Sequence, residues 1–157
     1  MSIEARIAQL GIKFPDTPAP LANYVLARVS GDRLYLSGHL GKRDGEVVTG
    51  KVEEEISRHD AYELARGAAV DLLASARAAL GTLDRVAGVA KVTGFVNSSL
   101  DFTDQSSVIN GASDLLVEVF GPERGRHARS AIGVAQLPRG ATVEVEAIFE
   151  LEVAAPA

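Results

Sequence analysis

An α+β fold, one mixed sheet with two main helices on one of its faces, is predicted by three features of the 157-residue chain. Short runs rich in valine and leucine alternate with polar residues at two-residue spacing, as half-buried strands do. Two longer segments carry apolar residues at steps of three and four, which places them on helices. The order reads β-β-α-β-α-β-β, and two helices of such length cover only one face of a sheet. The other face is then either polar or buried against another subunit.

Taken in order, Ser2 caps a short helix on which Ile3, Ile7 and Leu10 share a face, and Gly11 ends it. "FPDTPAPLANY" is broken by three prolines, so residues 1–20 read as an N-terminal helix and an extended connector. "YVLARVSG" (24–31) and "RLYLSGHLG" (33–41) form a hairpin about the Gly31-Asp32 turn. The charged loop "KRDGEVVTGKV" has room for one very short strand. From His59 to Gly81 the period turns helical, and Ala61, Leu64, Ala65, Ala68, Leu72, Ala76 and Ala79 form a stripe. That stripe is mostly alanine, which lets a helix lie close against a sheet. "VAGVAKVTGFVNS" (86–98) reads as a strand. A second helix over 104–120 turns Val108, Ala112, Leu115, Leu116 and Val119 inward and Ser107, Gly111, Asp114 and Glu118 outward, and Gly121-Pro122 ends it. Segments 128–136 and 142–152 are two more strands joined by "LPRGA". With no repeat, low-complexity tract or linker, residues 1–157 read as a single domain.

Composition narrows the chemistry. The chain has no cysteine, which excludes thiolate nucleophiles and thiolate zinc sites. Its formal net charge is −5, and the 16 lysines and arginines are scattered, so nucleic acid, whose binding depends on phosphate neutralisation, is not an expected partner. "MSIEARIAQLGIKF" carries charges where a signal peptide would be apolar, and no run approaches a membrane span, so a cytoplasmic protein without a membrane partner is expected.

Alternation sorts the last two strands into faces. Arg129, Ala131, Gly133 and Ala135 share one side, so an arginine stands on a surface of tiny residues beside empty volume. In the last strand, Glu144, Glu146, Glu150 and Glu152 form the polar side. The sheet face away from the helices is thus expected to offer an arginine and a carboxylate beside a space. Two readings follow. In one, Arg129 pairs with Glu144 or Glu146 as a cross-strand ion pair; in the other, its planar fork binds a substrate carboxylate while a glutamate holds a water. Alternation does not choose between them. His39, with no second histidine at metal-ligand spacing, reads as a surface or interface residue, and no metal is expected. His59 reads as a helix-start residue, and a strand running from position 127 puts His127 on the side of Arg129.

"HARSAIGVAQLPRGATVEVEAI" (127–148) closely resembles the C-terminal signature of the RidA/YjgF family, and "YLSGHLG" (35–41), "VTGFVNSSLDF" (92–102) and "VINGASDLLVEVFG" (108–121) agree in order. The resemblance covers about residues 20–152, and the longer chain and the "NGASDLL" helix resemble a divergent branch. It implies a chorismate mutase-like fold, a homotrimer whose sheets form a central barrel, and a cleft at each subunit interface. It further implies hydrolytic deamination of reactive 2-imino and enamine acids to 2-keto acids and ammonia, with no cofactor. Carried over, Arg129 binds the substrate carboxylate and Glu144 positions the attacking water, while Tyr24, Ser37, Gly38, Asn110 and Ala131 match positions near the cleft. From the residues alone, Tyr24 can equally pack, Ser37 can shape a strand end, and Gly38 can serve tight backbone passage. Asn110, followed by Gly111 inside a helix, more often caps or packs, though two poor helix formers together suggest the close approach of another chain. The chain departs from the family pattern where "HLGK" follows Ser37-Gly38, and where Ala131 and Gly133 replace the usual cysteine and glutamate. A non-catalytic trimeric module for a small carboxylate metabolite is therefore the second reading. Endoribonuclease activity ranks third, for want of a phosphate-binding patch.

Overall fold

The computed structural model describes residues 1–16, 20 and 22–153. Within it the chain forms α1 (Ile3–Gln9), β1 (Ala27–Ser30), β2 (Arg33–Leu40), β3 (Lys42–Arg43), β4 (Glu46–Val47), α2 (Arg58–Leu80), β5 (Val86–Asn97), α3 (Gln105–Gly125), β6 (Ala128–Val134) and β7 (Val143–Leu151). Five strands make one mixed sheet in the order β1-β2-β7-β5-β6. All its pairs are antiparallel except β5 and β6, which α3 joins as a crossover. Both long helices lie on one face, α2 over β2 and β7, α3 over β5 and β6. The expected α+β architecture is the observed one. The prolines between Phe14 and Tyr24 fall partly outside the described residues.

Local chemistry sets these boundaries. The Ser57 hydroxyl accepts from the Asp60 amide at the start of α2, and Gly81 ends that helix in the left-handed region at φ 82°. The expected stripe is buried from Ala61 to Ala76, whereas Ala79 is exposed and Leu80 turns inward in its place. Along α3 the helix breaks at Gly121 (φ 81°, ψ 169°), immediately before Pro122, and a short helical segment continues to Gly125. The charged loop forms two short strands rather than one, because Asp44 (φ 52°) and Gly45 (φ 82°) turn it back on itself. A third helix, α1, buries Ile3 and Ile7, and its Arg6 Nε donates to the Glu118 carbonyl at 3.0 Å.

Alternation along β5 and β7 sends Val92, Val96, Val143, Val145 and Phe149 into the core against Leu72, Leu115 and Leu116. Gly111 is buried, not outward. What approaches it closely is α2 of the same chain: a Cβ at Gly111 would collide with the Tyr62 carbonyl. Gly111→Ala therefore pries the helices apart, and overpacking of this kind costs about 1–3 kcal/mol. The expected result is a thermal midpoint lower by about 2–4 °C per kcal/mol for a chain of this size; an unchanged midpoint would refute the contact.

Candidate functional site

A cleft of about 650 Å³ opens on the side of the sheet away from the long helices, and Tyr24, Ser37, Gly38 and Glu144 all line it. It begins at an irregularity in β2. Leu36 faces Ala147 and His39 faces Val145, so three steps along β2 match two along β7 and one residue bulges. The Ser37 hydroxyl donates to the Val25 carbonyl at 2.6 Å, which ties the Tyr24–Val25 segment to the bulge. Tyr24 stands 42% exposed at the rim.

Gly38 has a specific reason to be glycine. Its missing Cβ would occupy the place of Glu144 Oε1, so the carboxylate lies directly over the backbone of the bulge. Burial, and secondarily the like charge of Glu146, raise the Glu144 pKa above its ordinary value of 4.5. No hydrogen-bond donor among the described residues holds that carboxylate in its ionised form. It is poised to take up a proton.

The bulge also corrects the expectation for His39. By simple alternation the imidazole would face out, but the extra residue reverses the parity and buries it beneath the cleft at 5% exposure. Nδ1 lies 2.7 Å from the Ser37 carbonyl, which can only accept, so Nδ1 carries the proton. Nε2 accepts from the Ser75 hydroxyl at 2.8 Å. Burial lowers the pKa of His39 below 6.5. In the window between the folded and unfolded values the unfolded chain binds the extra proton, so stability falls as pH drops through it. Glu144, shifted upward, works in the opposite sense, and the His39 contribution is read as a difference between proteins. On acidification from about pH 7 to about pH 5, wild type should lose more of its thermal midpoint than His39→Gln, which keeps a donor and an acceptor but does not titrate; equal losses would contradict this assignment.

Arg129 and Glu144 do not share a face. Register decides it: Arg129 lies beside the buried Val92, whereas Glu144 lies beside Phe95 on the opposite side of β5. Arg129 thus points toward α3, and the expectation that both groups stand on the uncovered face is corrected. A cross-strand ion pair within the chain is also ruled out, because β5 separates β6 from β7. Instead the guanidinium meets only neutral acceptors. Its Nη1 donates to Asn110 Oδ1 at 2.8 Å and to Ser113 Oγ at 3.1 Å, and Nη2 to the Ser106 carbonyl at 3.4 Å. Two of its five N–H donors, Nε–H and one on Nη2, find no acceptor among the described residues.

Asn110 therefore orients the arginine. Ser113, one helical turn further along α3, was not singled out by the sequence; it shares the Asn110 face at i+3 spacing. Its hydroxyl accepts from Arg129 and sits 2.9 Å from His127 Nε2, while His127 Nδ1 donates to the Gly125 carbonyl at 2.6 Å. Burial first, and the Arg129 charge with it, lower the His127 pKa below its ordinary value of 6.5. His127 lies on the side of Arg129, since both reach Ser113, although β6 begins only at Ala128. Ala131 follows two residues on, half-exposed beside Gly94. The predicted residues thus fall into two groups, one in the cleft and one at the β6 edge against α3.

The family model described as Endoribonuclease L-PSP matches residues 14–151. The chain belongs to this family, RidA/YjgF. Among RidA/YjgF relatives, it is 50% identical over 150 residues to Protein TCP17 of Trypanosoma cruzi, covering 95% of this chain and 94% of that one. It is 32% identical over 143 residues to a 2-iminobutanoate/2-iminopropanoate deaminase of Dermatophagoides farinae, covering 90% and 95%. A crystal structure of a protein of unknown function from Agrobacterium tumefaciens superposes with a TM-score of 0.86 at 44% identity, covering 96% of this chain and 94% of that one. Among the described residues, no helix is long and apolar enough to cross a membrane, and no group of three or more His, Asp or Glu side chains could hold a metal ion.

Proposed function

We propose that the protein hydrolyses 2-imino acids, with their enamine tautomers, to 2-keto acids and ammonia in a cleft completed by a neighbouring protomer of a homotrimer. The observation that carries this reading is the pairing of two unsatisfied groups. Among the described residues, a half-buried carboxylate lacks a donor, and an arginine fork keeps two free donors and meets no anion. Because the two stand on opposite faces of one sheet, a single substrate meets both only if they come from different chains. The deaminase activity for which the Dermatophagoides farinae relative is named agrees in class.

The chemistry needs little more. A protonated imine is already electrophilic at C2, so orientation and water activation are the main requirements. The Arg129 edge takes the α-carboxylate through two parallel N–H donors. Glu144 accepts a proton from water as its oxygen bonds to C2 and the C=N π pair moves to nitrogen. Returning that proton to the amine lets ammonia leave as the carbonyl forms, and the hydroxyl proton that remains passes to the released ammonia or to solvent. One water is consumed for each keto acid and ammonia released. Tyr24 at the rim supplies a hydroxyl to the bound molecule.

The test couples the protein to a pyridoxal-phosphate dehydratase that releases 2-iminopropanoate or 2-iminobutanoate, and follows keto-acid appearance. Wild type accelerates release under this proposal. No acceleration, with 2-keto acid still bound, would favour the non-catalytic module instead.

A further inference from the structure

We infer that Arg139 forms a second anion subsite in the Glu144 cleft, which selects 2-imino acids bearing an acidic side chain. This rests on the hydrolase reading for its substrate and on three independent observations for its site.

First, the backbone at Arg139 is in the left-handed region, φ 59° and ψ 15°, a conformation that an arginine rarely adopts. The surrounding structure holds it there. Pro138 and Gly140 flank it, the Gly50 amide donates to the Gly140 carbonyl at 3.2 Å, and Thr49 bridges to Ala141. Thr142 completes the clasp, its hydroxyl donating to the Gly50 carbonyl at 2.9 Å. The position from which the guanidinium extends is therefore fixed before any ligand arrives.

Second, Arg139 lines the same cleft as Glu144, and no carboxylate among the described residues lies within ion-pair distance of it. The other cation lining the cleft is already neutralised, since Lys42 Nζ sits 3.1 Å from Asp71 Oδ2. The remaining charged groups there, Glu144 and Glu146, are anionic. Among the described residues lining the cleft, Arg139 is thus the one uncommitted cation.

Third, the open cleft of one chain measures about 650 Å³, within the range of small-molecule sites, before a neighbouring protomer closes part of it. A substrate anchored by its α-carboxylate at Arg129 has room for a side chain that ends in a second carboxylate at Arg139.

The experiment compares acids of equal chain length. Binding of 2-oxoglutarate and of 2-oxopentanoate to the full-length protein is measured by calorimetry, and hydrolysis of the corresponding imines, made by amino-acid oxidases, by keto-acid release. Wild type should favour the dicarboxylate about tenfold in both readouts, as expected for one partly exposed charge-assisted contact. In Arg139→Gln that preference should vanish, and in Arg139→Glu it should invert, with unchanged thermal midpoints. No dicarboxylate preference in wild type, or one that survives Arg139→Gln, overturns the subsite. Preferential binding without hydrolysis of either imine would uphold the subsite and defeat the hydrolase reading.

Discussion

Glu144→Gln should lower imine hydrolysis about 10²- to 10⁴-fold, the range that a positioned general base contributes. Glutamine keeps the shape over Gly38 but cannot accept a proton from water, so binding of the keto-acid product should change little and the loss should appear in kcat. Burial raises the Glu144 pKa, which brings the base nearer to working pH and places the acid limb of the kcat profile above the ordinary 4.5. The same shift makes a stability prediction of definite sign. A carboxyl whose folded pKa lies above its unfolded value contributes stability at low pH that is lost as pH rises through the folded value. At neutral pH the ionised group opposes folding, and the neutral amide should melt higher. Such a trade of stability against activity is common at functional positions. A variant that melts no higher and retains full turnover would show that this carboxylate is incidental.

Arg129→Ala has the second large effect. Loss of a bidentate carboxylate contact in a desolvated cleft should raise KM and the keto-acid Kd by about 10²- to 10³-fold, since truncating one partner of a buried charge pair costs about 2–5 kcal/mol. Arg129→Lys should recover only part of this, because a point charge cannot reproduce the fork. Folding should survive, because the partners released are Asn110, Ser113 and a carbonyl, all neutral and near the surface. Equal keto-acid affinity in wild type and Arg129→Ala would remove the arginine from the site.

Most of the sheet was legible because β7 alternates along its whole length and β5 does so from Val92 to Val96, with valine prominent on the core side. Faces were harder. Alternation groups Arg129 with Ala131 but does not say which side the helices cover; that depends on the register placing Arg129 beside Val92. Alternation misplaces His39 because one bulged residue between Leu36 and His39 reverses every later parity in β2, and Gly38, the one local sign of it, reads equally as tight backbone passage. Two-residue strands such as β3 carry too few side chains for any periodicity, so only the Asp44-Gly45 turn announced that ribbon. Gly111 was placed outward because helical spacing finds the centre of an apolar stripe, whereas this glycine serves the flank where α2 passes. The split of the site between two surfaces has no sequence signature, because it depends on which strand lies between β6 and β7.

Subunit complementation tests that split most directly. Arg129→Ala and Glu144→Gln chains, each nearly inactive alone, are unfolded together and reassembled in equal amounts. If every cleft takes its arginine from one chain and its glutamate from the next, about a quarter of the sites in random symmetric assemblies are intact, and activity returns to about that fraction of wild type. If the mixture assembles into mixed oligomers and stays as inactive as its parents, both groups serve the same chain's site, and the shared cleft is contradicted.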